Sequence, residues 1–461
     1  MRQKYRRERD ALGLVDVPYG SYYGSETARA ISNFKASDFK VPLEFIHGYA
    51  QLKEAAAMAN AKLGKLDSKI AKAIEGASRE VVAGKLDGFF ILDIFQAGAG
   101  TSTNMNLNEV IANRALELIG KRKGEYKYIH PNDHVNMSQS TNDTFHVAIH
   151  VASAELIKSS LLPALSAFEK MLSAKAREFS KIVKIGRTHL QDAVPITLGD
   201  EFKGYSGQIE ECARNIMYGF SLLQHIPIGA TAVGTGINAP KGYPRLAASK
   251  LSEITGIRFM PETNLFAGMQ NIKEELVLSG ALRVCAITLN RIANDFRLLG
   301  SGPRAGIGEL ILPAVQPGSS IMPGKVNPSM AEMLNMVCFQ VMGNCTTIEE
   351  AANSGQLELN VFMPIAAFNI IFAIKALSRA VVLFNNKCVR GVSANEKRIK
   401  KILDENLSLA TALSPYIGYA KAAEIANEAA DSGKTIMQVC LEHKVLGKAV
   451  LEKLLNSENL V

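Results

Sequence analysis

The chain has 461 residues, 47% hydrophobic and 21% charged, with 52 Lys plus Arg against 44 Asp plus Glu, a net charge of +8. That much apolar residue excludes intrinsic disorder and is enough to bury a large core. The positive excess is thinly spread, densest at Arg2, Lys4, Arg6, Arg7 and Arg9. With 7% aromatics and no Trp it lacks the concentrated basic, stacking surface that excludes solvent from bases, so nucleic acid is not the expected partner. A small anionic substrate accounts for the balance equally well.

In chain order, the charged N-terminus has no apolar centre and does not read as a signal peptide. Pro42 to Leu63 is Ala-rich and stops at Gly64, which predicts a helix with a left-handed stop. Val151 to Phe179 places Leu156, Leu161, Leu162, Leu165, Phe168 and Leu172 at three- and four-residue intervals, the mark of a long amphipathic helix. Glu274 to Leu299 behaves likewise until Gly300-Ser301-Gly302-Pro303 ends it. Met330 to Glu350 and Asn360 to Asn385 are two further long candidates, and strand-like alternation is scarce. The expected class is all-α. Asn360 to Leu383 carries few charges on any face, so it must be covered all round, as at the centre of a bundle shared between subunits. Its greasiest part, Phe362 to Leu377, is interrupted by Pro364, Asn369 and Lys375 and reads as too short and broken to span a membrane. After Ser393-Ala394-Asn395 the chain turns charge-rich and amphipathic, like a small C-terminal domain. The six cysteines form no CxxC pair and no zinc-spaced cluster, as expected of buried free thiols in the cytoplasm, with no metal or other cofactor.

Four polar islands interrupt the helices. The first, Gly98-Ala99-Gly100-Thr101-Ser102-Thr103-Asn104-Met105-Asn106, leads into Leu107-Asn108-Glu109. Its small residues let backbone approach a ligand and its hydroxyls and amides supply donors, although a plain helix cap explains one or two of them. The second runs from His130 to Asn136 and on through Ser138-Gln139-Ser140-Thr141-Asn142-Asp143. His130 and His134 are spaced for a metal, but Pro131 between them argues against one continuous helical face. The third is Gly186-Arg187-Thr188-His189-Leu190-Gln191-Asp192-Ala193, in which Arg187 serves equally well as a structural clamp or a substrate ligand.

The fourth is Gln316-Pro317-Gly318-Ser319-Ser320-Ile321-Met322-Pro323-Gly324-Lys325-Val326-Asn327-Pro328, a loop with two glycine hinges that can close over a site. It offers a base or nucleophile in Ser319 or Ser320, a cation in Lys325 and an amide in Asn327. Neither P-loop nor nucleophile-elbow spacing is present. Many neutral donors, one Lys, one His and a Ser on a mobile loop suit a small dicarboxylate from which one proton is removed beside a carboxylate. A serine base needs its alkoxide stabilised, and a loop rich in backbone N–H groups beside Lys325 supplies that.

The run Gly318 to Pro328 resembles the defining loop of the aspartase/fumarase superfamily, and the other three islands match that superfamily's motifs in order, from Tyr22-Tyr23-Gly24 to Ile417-Gly418-Tyr419. The resemblance implies a three-domain subunit (residues 1–142, 143–396 and 397–461) and a homotetramer on a twenty-helix central bundle. Each active site would draw on three subunits, with no nucleic-acid or membrane partner. It implies Ser319 as the base that takes the Cβ proton, and Thr101, Ser140 and Thr141 on the carboxylate that becomes the aci-carboxylate. Lys325 and Asn327 would hold the other carboxylate. Asn142, Thr188 and His189 would surround the leaving group, with Glu332 pairing with His189. Within the small-substrate branch, Ala99-Gly100-Thr101-Ser102, Lys123-Gly124-Glu125-Tyr126 and Gln139-Ser140-Thr141-Asn142 resemble aspartate ammonia-lyases, the expected activity. Gly308-Glu309-Leu310 and Glu358-Leu359-Asn360-Val361-Phe362 resemble class II fumarases, the alternative. Met363 fits neither pattern, and His146 stands where both usually have Pro.

Overall fold

The structure is a computed structural model that describes residues 4–455; Arg2 of the N-terminal basic stretch lies outside the described residues. Seventeen α-helices carry most of the described chain, and every sheet among them has only two strands. The first is a hairpin absent from the sequence expectation, β1 (Tyr5–Asp10) against β2 (Gly13–Pro18). Little of it is buried, so apolar alternation does not announce it. Arg6 holds it instead: its guanidinium donates to the carbonyls of Pro18, Ser21 and Tyr23 and to Glu8, at 2.6–3.1 Å. Part of the N-terminal basic character is therefore a backbone clamp and not a binding surface.

The next helices are α1 (Ser25–Asn33), α2 (Leu43–Lys62), α3 (Ser68–Val82), α4 (Thr101–Leu118), α5 (Thr141–Leu156) and α6 (Leu162–Glu178). A π-turn over Ile157–Leu161 joins α5 to α6, so the periodicity of Val151 to Phe179 is realised as one longer helical run. β3 (Val183–Thr188) and β4 (Gln191–Thr197) form a second antiparallel hairpin. There follow α7 (Leu198–Leu223), α8 (Tyr243–Thr255), α9 (Leu265–Gln270), α10 (Lys273–Leu299), α11 (Ser329–Asn353) and α12 (Met363–Lys387), then five short helices over 396–454. Gly64 and Gly256, at φ of +68° and +64°, end α2 and α8 in the left-handed conformation that glycine enters without steric cost.

Contacts divide the chain into two compact units. One comprises Met1–Pro163, Arg214–Ala286 and Phe339–Ser378, the other Ala164–Ala213, Ile287–Cys338 and Arg379–Val461. Residues 142 and 143 lie in the first turn of α5, which the Ser140–Asp143 capping box starts. In the first unit α2 packs on α3, α5 and α8, and is buried nearly all round through Phe45, Ile46, Tyr49, Leu52, Ala55, Ala56 and Ala59. In the second, Phe179, Phe202, Phe296, Phe384 and Phe168 form a chain of edge-to-face ring contacts with centroids 5.1–5.9 Å apart, the geometry favoured by the ring quadrupole. A separate cluster around Leu413, Ile425, Val439, Cys440 and Leu451 forms the core of the C-terminal helices.

Three helical runs, Thr141–Glu178, Lys273–Leu299 and Met363–Gly391, are long and apolar enough to cross a membrane by length and composition. This corrects the expectation that the stretch around Phe362 to Leu377 is too short and broken. Pro364 falls in the first turn of α12, where proline costs no hydrogen bond, and Asn369 bonds back to the Ile365 carbonyl. Neither interrupts the helix. All six cysteines are buried, and none forms a disulfide.

Candidate active site

In the first unit the two amino-terminal polar islands form the starts of α4 and α5. Gly100 precedes α4 in the left-handed conformation (φ +82°), and a Cβ there would lie 2.0 Å from the Phe145 ring, so glycine lets the α4 start close onto α5. Gln96 Oε1 accepts from the Thr103 N–H (2.9 Å) and hydroxyl (2.7 Å), while the N-cap residue, Gly100, has no side chain to offer, so the Thr101 and Ser102 hydroxyls stand at the positive end of the helix dipole without a cap to serve. The bland cap reading holds instead at α5. Ser140 Oγ accepts from Asn142 N (3.2 Å), while Asp143 accepts from Ser140 N (2.9 Å). Because Ser140 accepts there, its own O–H remains available to donate. Asn104 Nδ2 likewise donates to Thr141 Oγ1 (2.9 Å), leaving the threonine hydroxyl proton for a ligand. Asn142 Nδ2 donates to the Ala232 carbonyl (2.8 Å), which orients its side-chain oxygen. A cleft of about 380 Å³ opens beside Ser140, lined by Asn136, Gln139, Thr231 and Asn238 among others.

Behind these groups lies a buried network that sequence reasoning did not single out. Lys53 on α2 is fully enclosed and donates to Asn104 Oδ1, Asn136 Oδ1 and Gln139 Oε1 at 2.7, 2.8 and 3.1 Å. Tyr49 donates to the same Asn104 oxygen at 2.8 Å. Asn104 thus has its acceptor saturated and its amide aimed at Thr141. Burial lowers the Lys53 ammonium to about 7. Burial likewise pushes Asp143 up to about 7, against backbone N–H donors from Ser140, Gly229 and Thr231. The signal available in the sequence was a lysine amid the alanines of α2. The nearby histidines are not poised for metal: His130 Nδ1 accepts from Asn132 N and Asp133 N, and His134 Nδ1 from His130 N.

In the second unit Thr188 closes β3, and His189 and Leu190 form the two-residue turn into β4, with φ of +55° and +60°. Both values are unusual for residues with a Cβ and set an exposed hairpin tip. Arg187 resolves as a clamp. Its Nη2 lies 2.7 Å from Glu309, which is fully buried and also pairs with Lys184 at 3.0 Å. The fourth island is an irregular loop leading into α11. Gly318 lets it cross itself, since a Cβ there would lie 2.1 Å from the Lys325 carbonyl. Asn327 Nδ2 donates to the Gly318 carbonyl at 2.6 Å and ties the loop's two ends together. Ser319 Oγ accepts from the backbone N–H groups of Ile321 (3.2 Å) and Met322 (2.9 Å). Two donors on one oxygen favour its alkoxide and distinguish Ser319 from the exposed Ser320. Lys325 is exposed, and Glu332 is half-buried in the first turn of α11. Among the described residues of this one chain, no hydrogen bond or ion pair joins His189 to Glu332.

The candidates thus fall into two groups: Thr101, Ser140, Thr141 and Asn142 in one unit, and Thr188, His189, Ser319, Lys325, Asn327 and Glu332 in the other. An amphipathic helical chain carrying a serine held by backbone donors and paired helix starts rich in hydroxyls matches the lyase family over residues 13–343. The C-terminal domain of fumarase C matches over 409–461. The chain belongs to the aspartase/fumarase superfamily, and it is a lyase. It is 50% identical over 437 residues to the class II fumarate hydratase of Thermosynechococcus vestitus, covering 95% of this chain and 94% of that protein. To the aspartate ammonia-lyase of Bacillus subtilis it is 45% identical over 454 residues, 98% of this chain and 95% of that one. Its fold superposes on the crystal structure of class II fumarase from Schistosoma mansoni with a TM-score of 0.97 at 40% identity, over 99% of both chains.

Proposed function

We propose that the protein is a class II fumarate hydratase, interconverting L-malate with fumarate and water. The observation that carries the lyase chemistry is the pair of backbone N–H groups on Ser319 Oγ. The choice of hydration over deamination rests on the identity to class II fumarate hydratases, and it moves the reading away from the aspartate preference of the sequence motifs. In the dehydrating direction, the Ser319 alkoxide takes a Cβ proton from malate. The electron pair enters the adjacent carboxylate, forming an aci-carboxylate that accepts hydrogen bonds from Thr101, Ser140 and Thr141. Collapse of that intermediate expels the C2 hydroxyl, which leaves as water after taking a proton. Asn142, Thr188 and His189 surround it, while Lys325 and Asn327 hold the remaining carboxylate.

The proposed assembly is a cytoplasmic homotetramer in which three subunits complete each site. His189 at an exposed tip and Ile321, 83% exposed within the catalytic loop, call for covering by another subunit. Apolar side chains left open on the long helices, such as Ile287, Met336 and Phe339, point the same way. Glu332 would then reach His189 of another copy.

Deamination of aspartate is the second reading, favoured by the identity to the Bacillus subtilis enzyme. Supplying L-malate and L-aspartate separately and following fumarate absorbance separates the two. Fumarate from malate supports hydration, whereas fumarate from aspartate alone overturns it. Ser319→Ala is expected to abolish turnover while the assembly persists on size exclusion, and wild-type turnover in that variant would remove Ser319 from the base role.

A further inference from the structure

Helices α5 and α10 bring together ionisable side chains that the chemistry above does not use. His146 and His150 lie one turn apart on α5 and share a face. Glu274 and Glu275 stand in the first turn of α10. Acidic residues at a helix start suit the dipole, but that leaves the depth of Glu275 unexplained. Its side chain is fully enclosed, and the ring nitrogens nearest its carboxylate stand off at 3.3 Å (His150 Nε2) and 3.8 Å (His146 Nδ1), longer than a close hydrogen bond, while Nε2 of buried His146 has no partner. Buried carboxylates are ordinarily satisfied.

The histidine geometry supplies the missing partner. His150 Nδ1 lies 3.0 Å from the Leu223 carbonyl, which only accepts, so Nδ1 carries a proton, and the ring in the neutral form that a metal ligand needs presents its lone pair at Nε2. That lone pair faces Glu275 Oε1 at 3.3 Å. A charge-assisted N–H···O bond closes to about 2.7–2.9 Å. Two ligand atoms about 2.0–2.1 Å from one tetrahedral cation stand roughly 3.3–3.4 Å apart. One ligand atom each from His150, Glu274 and Glu275 lies within 4.8 Å of the others, and no other His/Cys/Asp/Glu trio among the described residues is grouped this way. Glu274, at 7% exposure and paired with the half-exposed Lys273, marks the side open to entry.

We propose that His150 Nε2, Glu275 and Glu274 bind a divalent first-row transition cation, with zinc best matched to one imidazole and two carboxylates. The two carboxylates neutralise the ion inside the core. The Leu223 carbonyl fixes the ring, and His146, 3.8 Å from Glu275, borders the site. The ion joins α5 to α10 and takes no part in the elimination.

The test uses the full-length protein stripped with chelator and then given Zn²⁺ or Co²⁺. Elemental analysis after desalting is expected to find about one ion per chain, Co²⁺ to develop visible absorption, and the ion to raise Tm. His150→Ala and Glu275→Gln are expected to lose all three responses. Because those sites are deeply buried, Glu274→Gln at the edge serves as the second variant, expected to fold and to bind at least about ten-fold more weakly. The inference is overturned by wild-type protein that retains no ion and gives no cobalt spectrum, or by Glu274→Gln binding with wild-type affinity.

Discussion

Lys53 allows the buried network behind Thr141 to be tested through its proton. The enclosed ammonium loses its proton near pH 7 in the folded chain, against 10.5 for an ordinary lysine. Between those values the unfolded chain holds one more proton than the folded chain, so stability rises with pH, and the contribution is lost as pH falls through 7. One full proton is worth roughly 1.4 kcal/mol per pH unit. With half a proton still bound at pH 7, the gain from pH 7 to pH 9 comes to about 2 kcal/mol. Lys53→Met keeps the length and removes the titration. Urea unfolding of both proteins at pH 7, 8 and 9, at one protein concentration, is therefore expected to show wild type gaining about 2 kcal/mol on the variant. Titrations common to both proteins cancel in the difference. The raised Asp143 acts in the opposite sense, its stabilisation being lost as pH rises from its ordinary range to about 7; because the Lys53 charge holds it down, Lys53→Met moves that loss further into the alkaline window of the variant and widens the difference in the same direction. Two stability curves that stay parallel within about 0.5 kcal/mol would refute the reasoning, because Lys53 would then hold the same proton in both states.

Glu309→Ala leaves Lys184 and Arg187 without their shared buried carboxylate and is expected to cost about 3–5 kcal/mol, read by urea unfolding; a loss below about 1 kcal/mol would mean that water or Glu201 replaces it. Gly318→Ala drives a Cβ into the Lys325 carbonyl, so fumarate turnover is expected to fall at least about ten-fold with unchanged far-ultraviolet circular dichroism. Wild-type turnover in that variant would show that the loop does not work in the self-crossing form.

The helices were legible because burial on one face imposes a three-to-four-residue period, and Glu274 to Leu299 is realised within one residue as Lys273–Leu299. The N-terminal hairpin was not legible, because the bonds that fix it run from the Arg6 side chain to carbonyls up to 17 residues away and leave no alternation in the sequence. The site divides along the same line. Residue type and local order single out Ser319, Lys325 and Asn327 as candidates, because one loop carries both the serine and the backbone donors on its hydroxyl.

Lys53, Asn104 and Asp143 act through contacts between residues 37 to 86 positions apart, and in the sequence they read as an ordinary helix charge, an amide and a cap. Arg187 shows why such residues resist assignment. As a ligand or as a clamp it is the same residue in the same motif, and only Glu309, more than a hundred positions away and fully buried, decides between the two. A residue whose role depends on a distant partner is decided by packing, whereas a residue whose role depends on its own loop is decided by the sequence around it.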